Sequence, residues 1–219
     1  MNILEKNKLL NQYNHLHVWL NNMSDDIWQE CKLITVQNKE ILIKQGNPVE
    51  YVYLICSGKI LISKEYSSGN EKQIVFSHYG EVVGEMEVFL KKETVMYTAI
   101  TYKKCTLISI PVATFSKWTR QNSKIAETLL RVLAQKLLHA SESTVQYQNE
   151  RADERLARIL SERRSGIVED TKFSLAVACG VSERTIYRII SKFKDQNLIN
   201  IVGGKIYLSS EQIEVLKNF

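Results

Sequence analysis

The chain has 219 residues, of which 44% are apolar, and carries a formal charge of +5. That length suits two small domains better than one, and the composition supports packed cores, which excludes a disordered chain. No apolar run approaches membrane-spanning length, and the stretch "MNILEKNKLLNQYNHLHVWL" lacks a signal peptide's continuous apolar region, so no membrane partner and a cytoplasmic location are expected.

Residues from about 3 to 29 read as short helices, with Ser24 as an N-cap before "DDIW". From Cys31 onward the texture changes to short β-branched runs: "CKLITVQ", "EILIK", "YVYLICSG", "KILISKEY", "KQIVFSHYG", "MYTAITYK" and "CTLISIP". Turn residues separate them, among them Gly46-Asn47-Pro48, Ser57-Gly58, Ser67-Ser68-Gly69-Asn70 and Gly80, and this spacing predicts a β-sandwich or barrel-like roll. The stretch "GEVVGEMEVFLKKETVMYTAI", Gly80 to Ile100, contains a glycine-bearing turn of the kind that cradles a phosphate, but no arginine.

Pro111 closes the strand-rich part and the apolar period lengthens. From Ser123 to about Gln148, Ile125, Leu129, Val132, Leu133, Leu137 and Ala140 recur at three- and four-residue steps, which predicts one long helix. Such a helix is too long for the roll alone to cover, so its stripe is expected to pack partly on the roll and partly on a second copy as a coiled-coil seam. The expected dimer interface is therefore Ile125, Leu129, Val132, Leu133, Lys136, Leu137 and Ala140.

The polar patch from Gln148 to Arg151 reads as a hinge. Beyond it, "KFSLAVACGVSERTIYRIISKFKDQNLINIVGGKIYLSS" holds two helical patterns around Cys179-Gly180-Val181, then strand, Gly203-Gly204, strand. Gly180 supplies a tight turn and Ser182 an N-cap, while Ile186, Ile189, Ile190 and Phe193 form a buried face. Arg184 and Arg188 share the opposite face, with Glu183, Thr185, Tyr187 and Lys192 beside them. Basic residues four apart are common on ordinary solvated helices, so the pair alone decides nothing. The hairpin that follows decides it, because its glycine turn makes a wing suited to a DNA backbone, with Lys205 at its edge. A helix-turn-helix followed directly by a wing points to double-stranded DNA as partner, with the arginines reading guanine edges in a major groove.

Four cysteines, Cys31, Cys56, Cys105 and Cys179, lie far apart with no metal-ligand spacing and read as buried, reduced residues. His15 and His17, two apart, point to different helix faces, and no metal site is expected. The sequence offers no activated nucleophile or acid–base pair, so no enzymatic activity is expected. Two other readings stand beside the DNA-binding one: a nucleotide-binding signalling module, and a thiol-redox regulator centred on Cys179.

Four segments in order resemble the Crp/Fnr superfamily of bacterial transcription regulators: "QGNPVEYVYLICSGKILI", "GEVVGEMEVF", "KLLHASESTVQYQNERADERLARIL" and "CGVSERTIYRIISKFKDQNLI". The resemblance covers nearly the whole chain, from about Ser24 to Ser210. It implies an α+β protein with an N-terminal double-stranded β-helix (a jelly roll of the cyclic-nucleotide-binding type), a long dimerisation helix and a C-terminal winged helix-turn-helix. The corresponding domains are 1–115, 116–148 and 149–219. It also implies a homodimer on a two-fold DNA site, with RNA polymerase as a further partner if the protein is an activator. Ser182, Thr185 and Lys172 carry over as DNA-backbone contacts and Arg188 as a base or phosphate contact.

The sequence departs from this pattern in two places. The effector cassette of cAMP-responsive members maps to Gly84, Glu85, Glu93, Thr94, Ala140 and Ser141. The expected Arg-Ser pair is here Glu93-Thr94, and the Thr-Ser pair of the dimer helix is Ala140-Ser141. A glutamate facing a cyclic phosphate is repulsive, which argues against cyclic AMP and leaves open another small-molecule effector; no cofactor is called for. If the resemblance of the dimer helix holds, Glu85 is instead expected to face Lys136 as a salt bridge. In the recognition helix, Arg184 stands where a glutamate is usual, so the family's familiar half-sites do not transfer.

Overall fold

A computed structural model describes residues 3–66 and 71–219, so the turn expected at Ser67-Ser68-Gly69-Asn70 lies outside the described residues. The chain divides into two compact units, Met1–Lys136 and Leu137–Phe219.

The first unit opens with helices α1 (Ile3–Gln12), α2 (His17–Leu20) and α3 (Asp25–Glu30). Strands β1 (Lys32–Val36), β2 (Ile41–Ile43), β3 (Tyr51–Ser57), β4 (Lys59–Glu65), β5 (Glu71–His78) and β6 (Val82–Val83) follow. Helix α4 (Glu85–Phe89) precedes β7 (Thr98–Thr101), β8 (Cys105–Pro111) and helix α5 (Val112–Gln121), and the long helix α6 (Ser123–Asn149) begins in this unit. The strands form two antiparallel sheets of the predicted roll, in the orders β1-β8-β3-β6 and β2-β7-β4-β5. Period-two alternation sorts their side chains. Ile55, Cys105 and Leu107 meet Ile60 and Ala99 between the sheets. Val52, Leu54, Cys56, Ile108 and Ile110 face the opposite way, onto Trp19, Trp28, Phe115 and Trp118. Strands β3 and β8 are thus covered on both faces, which is why they read as unbroken apolar runs.

Ser24 is the N-cap residue of α3, as expected, with extended backbone and no side-chain cap bond. Two other expectations need correction. The boundary expected between 115 and 116 cuts through α5, whose Phe115 and Trp118 are buried in the first unit's core. Finally, α6 does not offer its whole stripe to a partner. Ile125 and Leu129 are 0% and 2% exposed within the first unit's own core, with Val132 packed against them. The periodicity marked a buried stripe correctly and could not tell which surface buries it. Asn122, whose Oδ1 accepts from the Lys124 and Ile125 backbone N–H groups at 3.1 and 3.2 Å, starts α6.

The second unit contains the end of α6, then α7 (Ala152–Ser161), β9 (Gly166–Ile167), α8 (Lys172–Cys179), α9 (Glu183–Asp195), β10 (Asn200–Val202), β11 (Lys205–Leu208) and α10 (Ser210–Lys217). Its core joins Leu156, Leu160, Leu175, Ile186, Ile190, Phe193, Ile206 and Leu208. Side-chain caps fix the helix starts: Thr171 accepts from the Ser174 N–H, Ser182 from Thr185 and Ser209 from Gln212. The wing pairs β10 with β11 and β11 with β9, all antiparallel.

Candidate nucleic-acid interface and effector cassette

Helix α9 has a rigid apolar back. Ile186, Ile189, Ile190 and Phe193 are buried, while Arg184, Tyr187, Arg188, Ser191 and Lys192 lie on the exposed side. The structure gives the basic residues of this face different roles. Lys192 Nζ is held 2.7 Å from Asp153 Oδ2, and that bond keeps the Asp153 carboxyl below its ordinary range. Lys192 is therefore ion-paired within its own unit, with its side chain still about half exposed. Asp153 is 39 residues away in sequence, so local spacing could not reveal it. Lys205 pairs with Glu169 at 3.1 Å, but both side chains are largely exposed and the pair is easily exchanged for a phosphate. Lys172 Nζ stands 4.8 Å over the Tyr187 ring, a cation–π contact linking the start of α8 to the face of α9. Ser182 Oγ lies 3.0 Å from Thr185 Oγ1, so these two hydroxyls partner each other at the helix start. Arg184 and Arg188 have no ion-pair partner among the described residues. Between α8, α9 and the wing lies an open groove of about 300 Å³, lined by Thr171, Lys172, Glu183, Tyr187, Gly204 and Lys205.

Two residues of this unit escaped the sequence reading. Arg155 is 7% exposed and its Nε donates to the Cys179 carbonyl at 2.9 Å, with a second bond from Nη1 to the Glu150 carbonyl. Its guanidinium lies 5.0 Å from the ring centre of Tyr147, near the end of α6. The signal was there to read: Arg155 shares a helix face with the apolar Ile159, and an arginine on a buried face needs partners.

In the first unit the candidate cassette centres on Gly84 and Glu85. Gly84 has φ +88°, and a Cβ there would lie 2.9 Å from the Tyr51 carbonyl oxygen, so the turn demands glycine. Glu85, 2% exposed, is held 2.7 Å from Lys136 Nζ, which also donates to the Val82 carbonyl at 2.9 Å. The pairing expected from the resemblance of the dimer helix is present. Burial pushes the Glu85 carboxyl above its ordinary range while Lys136 pulls against it. Glu87 is buried as well and accepts from the Met96 N–H at 3.0 Å, pinning the far side of the loop. Glu93 and Thr94 are exposed, and the buried residue of that segment is Val95, in a small cavity of about 160 Å³ beside Gly84 and Tyr51. Ala140 and Ser141 belong to the second unit and are exposed on α6. A cyclic nucleotide phosphate would find Glu85 already paired and a valine, not an arginine, on the buried side of the loop. The residues present do not fit it.

All four cysteines are free and buried. Burial pushes the Cys31 and Cys56 thiols up to about 12 and Cys179 up to about 11, and raises Cys105. Thiols held this far from the thiolate form react slowly, which removes support from the redox reading. His78 is exposed.

Comparison with known proteins agrees with this geometry. A family model described as the cyclic nucleotide-binding domain matches residues 33–122. The chain is 22% identical over 184 residues to the global nitrogen regulator of a Nostoc species, covering 78% of this chain and 82% of that protein. The solved structure of the c-di-GMP-responsive global regulator CLP from Xanthomonas campestris superposes with a TM-score of 0.73 at 19% identity, over 84% of this chain and 97% of that one. A Crp/Fnr-family transcriptional regulator from Thermus thermophilus gives 0.66 at 19% identity, over 86% and 99% of the two chains. No helix among the described residues is long and apolar enough to cross a membrane. These comparisons give the chain the fold of Crp/Fnr-family regulators: its N-terminal part matches the cyclic nucleotide-binding domain model, and its C-terminal part holds a helix-turn-helix followed by a wing.

Proposed function

We propose that this chain is a sequence-specific DNA-binding transcriptional regulator, without catalytic activity, that acts as a homodimer on an inverted-repeat operator. The observation that carries this reading is the α9 face, where Arg184 and Arg188 stand exposed and, among the described residues, without ion-pair partners on a helix whose back is locked in a core. Such a face can enter a major groove, where each arginine bonding a guanine at O6 and N7 supplies about 1–3 kcal/mol of discrimination. Lys172 and Lys205 flank it and in this reading meet backbone phosphates, as do Ser182 and Thr185 at the helix start.

Dimerisation is supported by what α6 leaves uncovered. Leu130 and Leu137 are both 69% exposed, and with Leu133 and Ala140 they follow the alternating three- and four-residue step of a coiled-coil seam. This seam is offset from the buried Ile125 and Leu129 and the partly buried Val132, so one helix can serve its own core and a partner at once. The effector of this reading is not cyclic AMP, given the paired Glu85 and the buried Val95. RNA polymerase is a further partner if the operator lies at an activated promoter.

Selection of bound sequences from random duplex DNA by the purified full chain tests the reading. An enriched inverted repeat, with half-site centres about one helical turn (~34 Å) apart, is expected. Recovery of no enriched sequence would overturn it.

A further inference from the structure

We propose that Tyr147 and Arg155 latch the helix-turn-helix to the C-terminal end of α6, and so determine which spacing between half-sites the protein accepts. This rests on the DNA-binding reading above. The sequence placed a hinge at Gln148 to Arg151, yet the second unit treats that stretch as part of itself, since the division between units falls at Lys136 and Leu137. The contacts explain why. Glu150 N–H continues the helical pattern by donating to the Gln146 carbonyl at 2.8 Å, and the Glu150 carbonyl then accepts from Arg155. The other arm of the same guanidinium ties the Cys179 carbonyl, at the turn between α8 and α9. One buried side chain thus bonds the end of α6 and the turn before the recognition helix together, and the Tyr147 ring covers its guanidinium. Tyr147 also meets that turn directly. Its hydroxyl is 3.5 Å from the Ala178 carbonyl, and a Cβ on Gly180 would lie 2.7 Å from its Cζ. Arg158 adds a lateral tie, from Nη2 to Gln146 Oε1 at 2.8 Å.

Spacing follows from this attachment. Adding one base pair between half-sites moves and rotates one of them by about a tenth of a helical turn, ~3.4 Å and roughly 35°. A recognition helix fixed to α6 cannot follow such a shift, whereas a loosely tethered one can. Arg155 and Tyr147 act here through the position of α9 and are positioning residues, with no contact to bases required of them.

The test uses the full chain as wild type, Tyr147→Ala and Tyr147→Phe, on the selected operator and on versions with one base pair added or removed at the centre. Tyr147 is 42% exposed, so its truncation leaves a surface depression in place of a core cavity. Wild type and Tyr147→Phe, which keeps the ring, are expected to lose about tenfold or more in affinity on the altered spacers; Tyr147→Ala is expected to lose less than about threefold, with the half-site preference unchanged. An unchanged spacing penalty in Tyr147→Ala would overturn the proposal. If no sequence is selected at all, the DNA reading fails and hydrogen exchange decides the latch separately. Amides of residues 178–182 exchanging about tenfold faster in Tyr147→Ala than in wild type support it, and equal rates overturn it.

Discussion

Glu85 and Lys136 show what one pair of side chains does to an inherited site. A carboxylate that is 2% exposed is costly without a counter-ion, and Lys136 supplies one from α6. Replacing Lys136 by methionine leaves the buried carboxylate unpaired, for an expected loss of about 3 kcal/mol near neutral pH. The sign of the pH dependence follows from the raised folded-state pKa of Glu85. The folded state then binds the proton more tightly than the unfolded one, so the penalty is fully present above the folded pKa and is relieved as pH falls through it. Urea denaturation at about pH 7.5 and about pH 5 should therefore show a smaller deficit at the lower value, and equal deficits would contradict the account. The pair was legible only through the resemblance of the dimer helix, because 51 residues separate its members. The same limit explains Lys192, whose exposed position on α9 was legible and whose partner Asp153 was not. Glu93 and Thr94 are exposed, and the buried residue of that segment, Val95, left no signal in the count along the loop.

Strands, wing and helix-turn-helix were legible because each carries a local physical signature. Alternating or unbroken apolar runs between turn residues gave seven of the strands by quotation, from Cys31 to Pro111, while the two-residue β6 and one-turn α4 are too short to leave a periodic trace. Helix α5 was missed because its apolar positions, Phe115 and Trp118, are few and follow directly on β8. Helix α6 was found, but two stripes overlap on it and periodicity alone merged them. Separating them gives a prediction at this scale. Leu137→Glu, on the exposed stripe, should shift the protein from dimer to monomer in sedimentation experiments with no loss of thermal stability in the first unit, whereas Leu129→Ala should cost about 2–5 kcal/mol of stability, as buried leucine truncations do. Leu137→Glu remaining dimeric would remove the seam.

For the molecule as a whole, composition and element order were enough to foresee a roll, a long helix and a winged helix-turn-helix, and the fold comparisons bear this out. The division of labour along the chain was less visible. Compactness places the break within α6, at Lys136 and Leu137, because core packing holds the helix to one unit before that point and Tyr147 with Arg155 joins it to the other beyond it. No single residue type marks that point, so polarity drew the expected hinge to the Gln148–Arg151 stretch. The roll keeps the left-handed turn at Gly84, and the Glu85 that follows it is paired with Lys136.

The central claim is that Arg184 and Arg188 read bases from the free face of α9, and Arg184→Ala tests it most directly. Affinity should be measured on the selected operator and on random duplex DNA at one fixed salt concentration. The account predicts a loss of about 1–3 kcal/mol on the operator, with relaxed preference at one base pair of each half-site and little change on random DNA. Equal losses on both DNAs would contradict it, because they would reduce Arg184 to a phosphate contact.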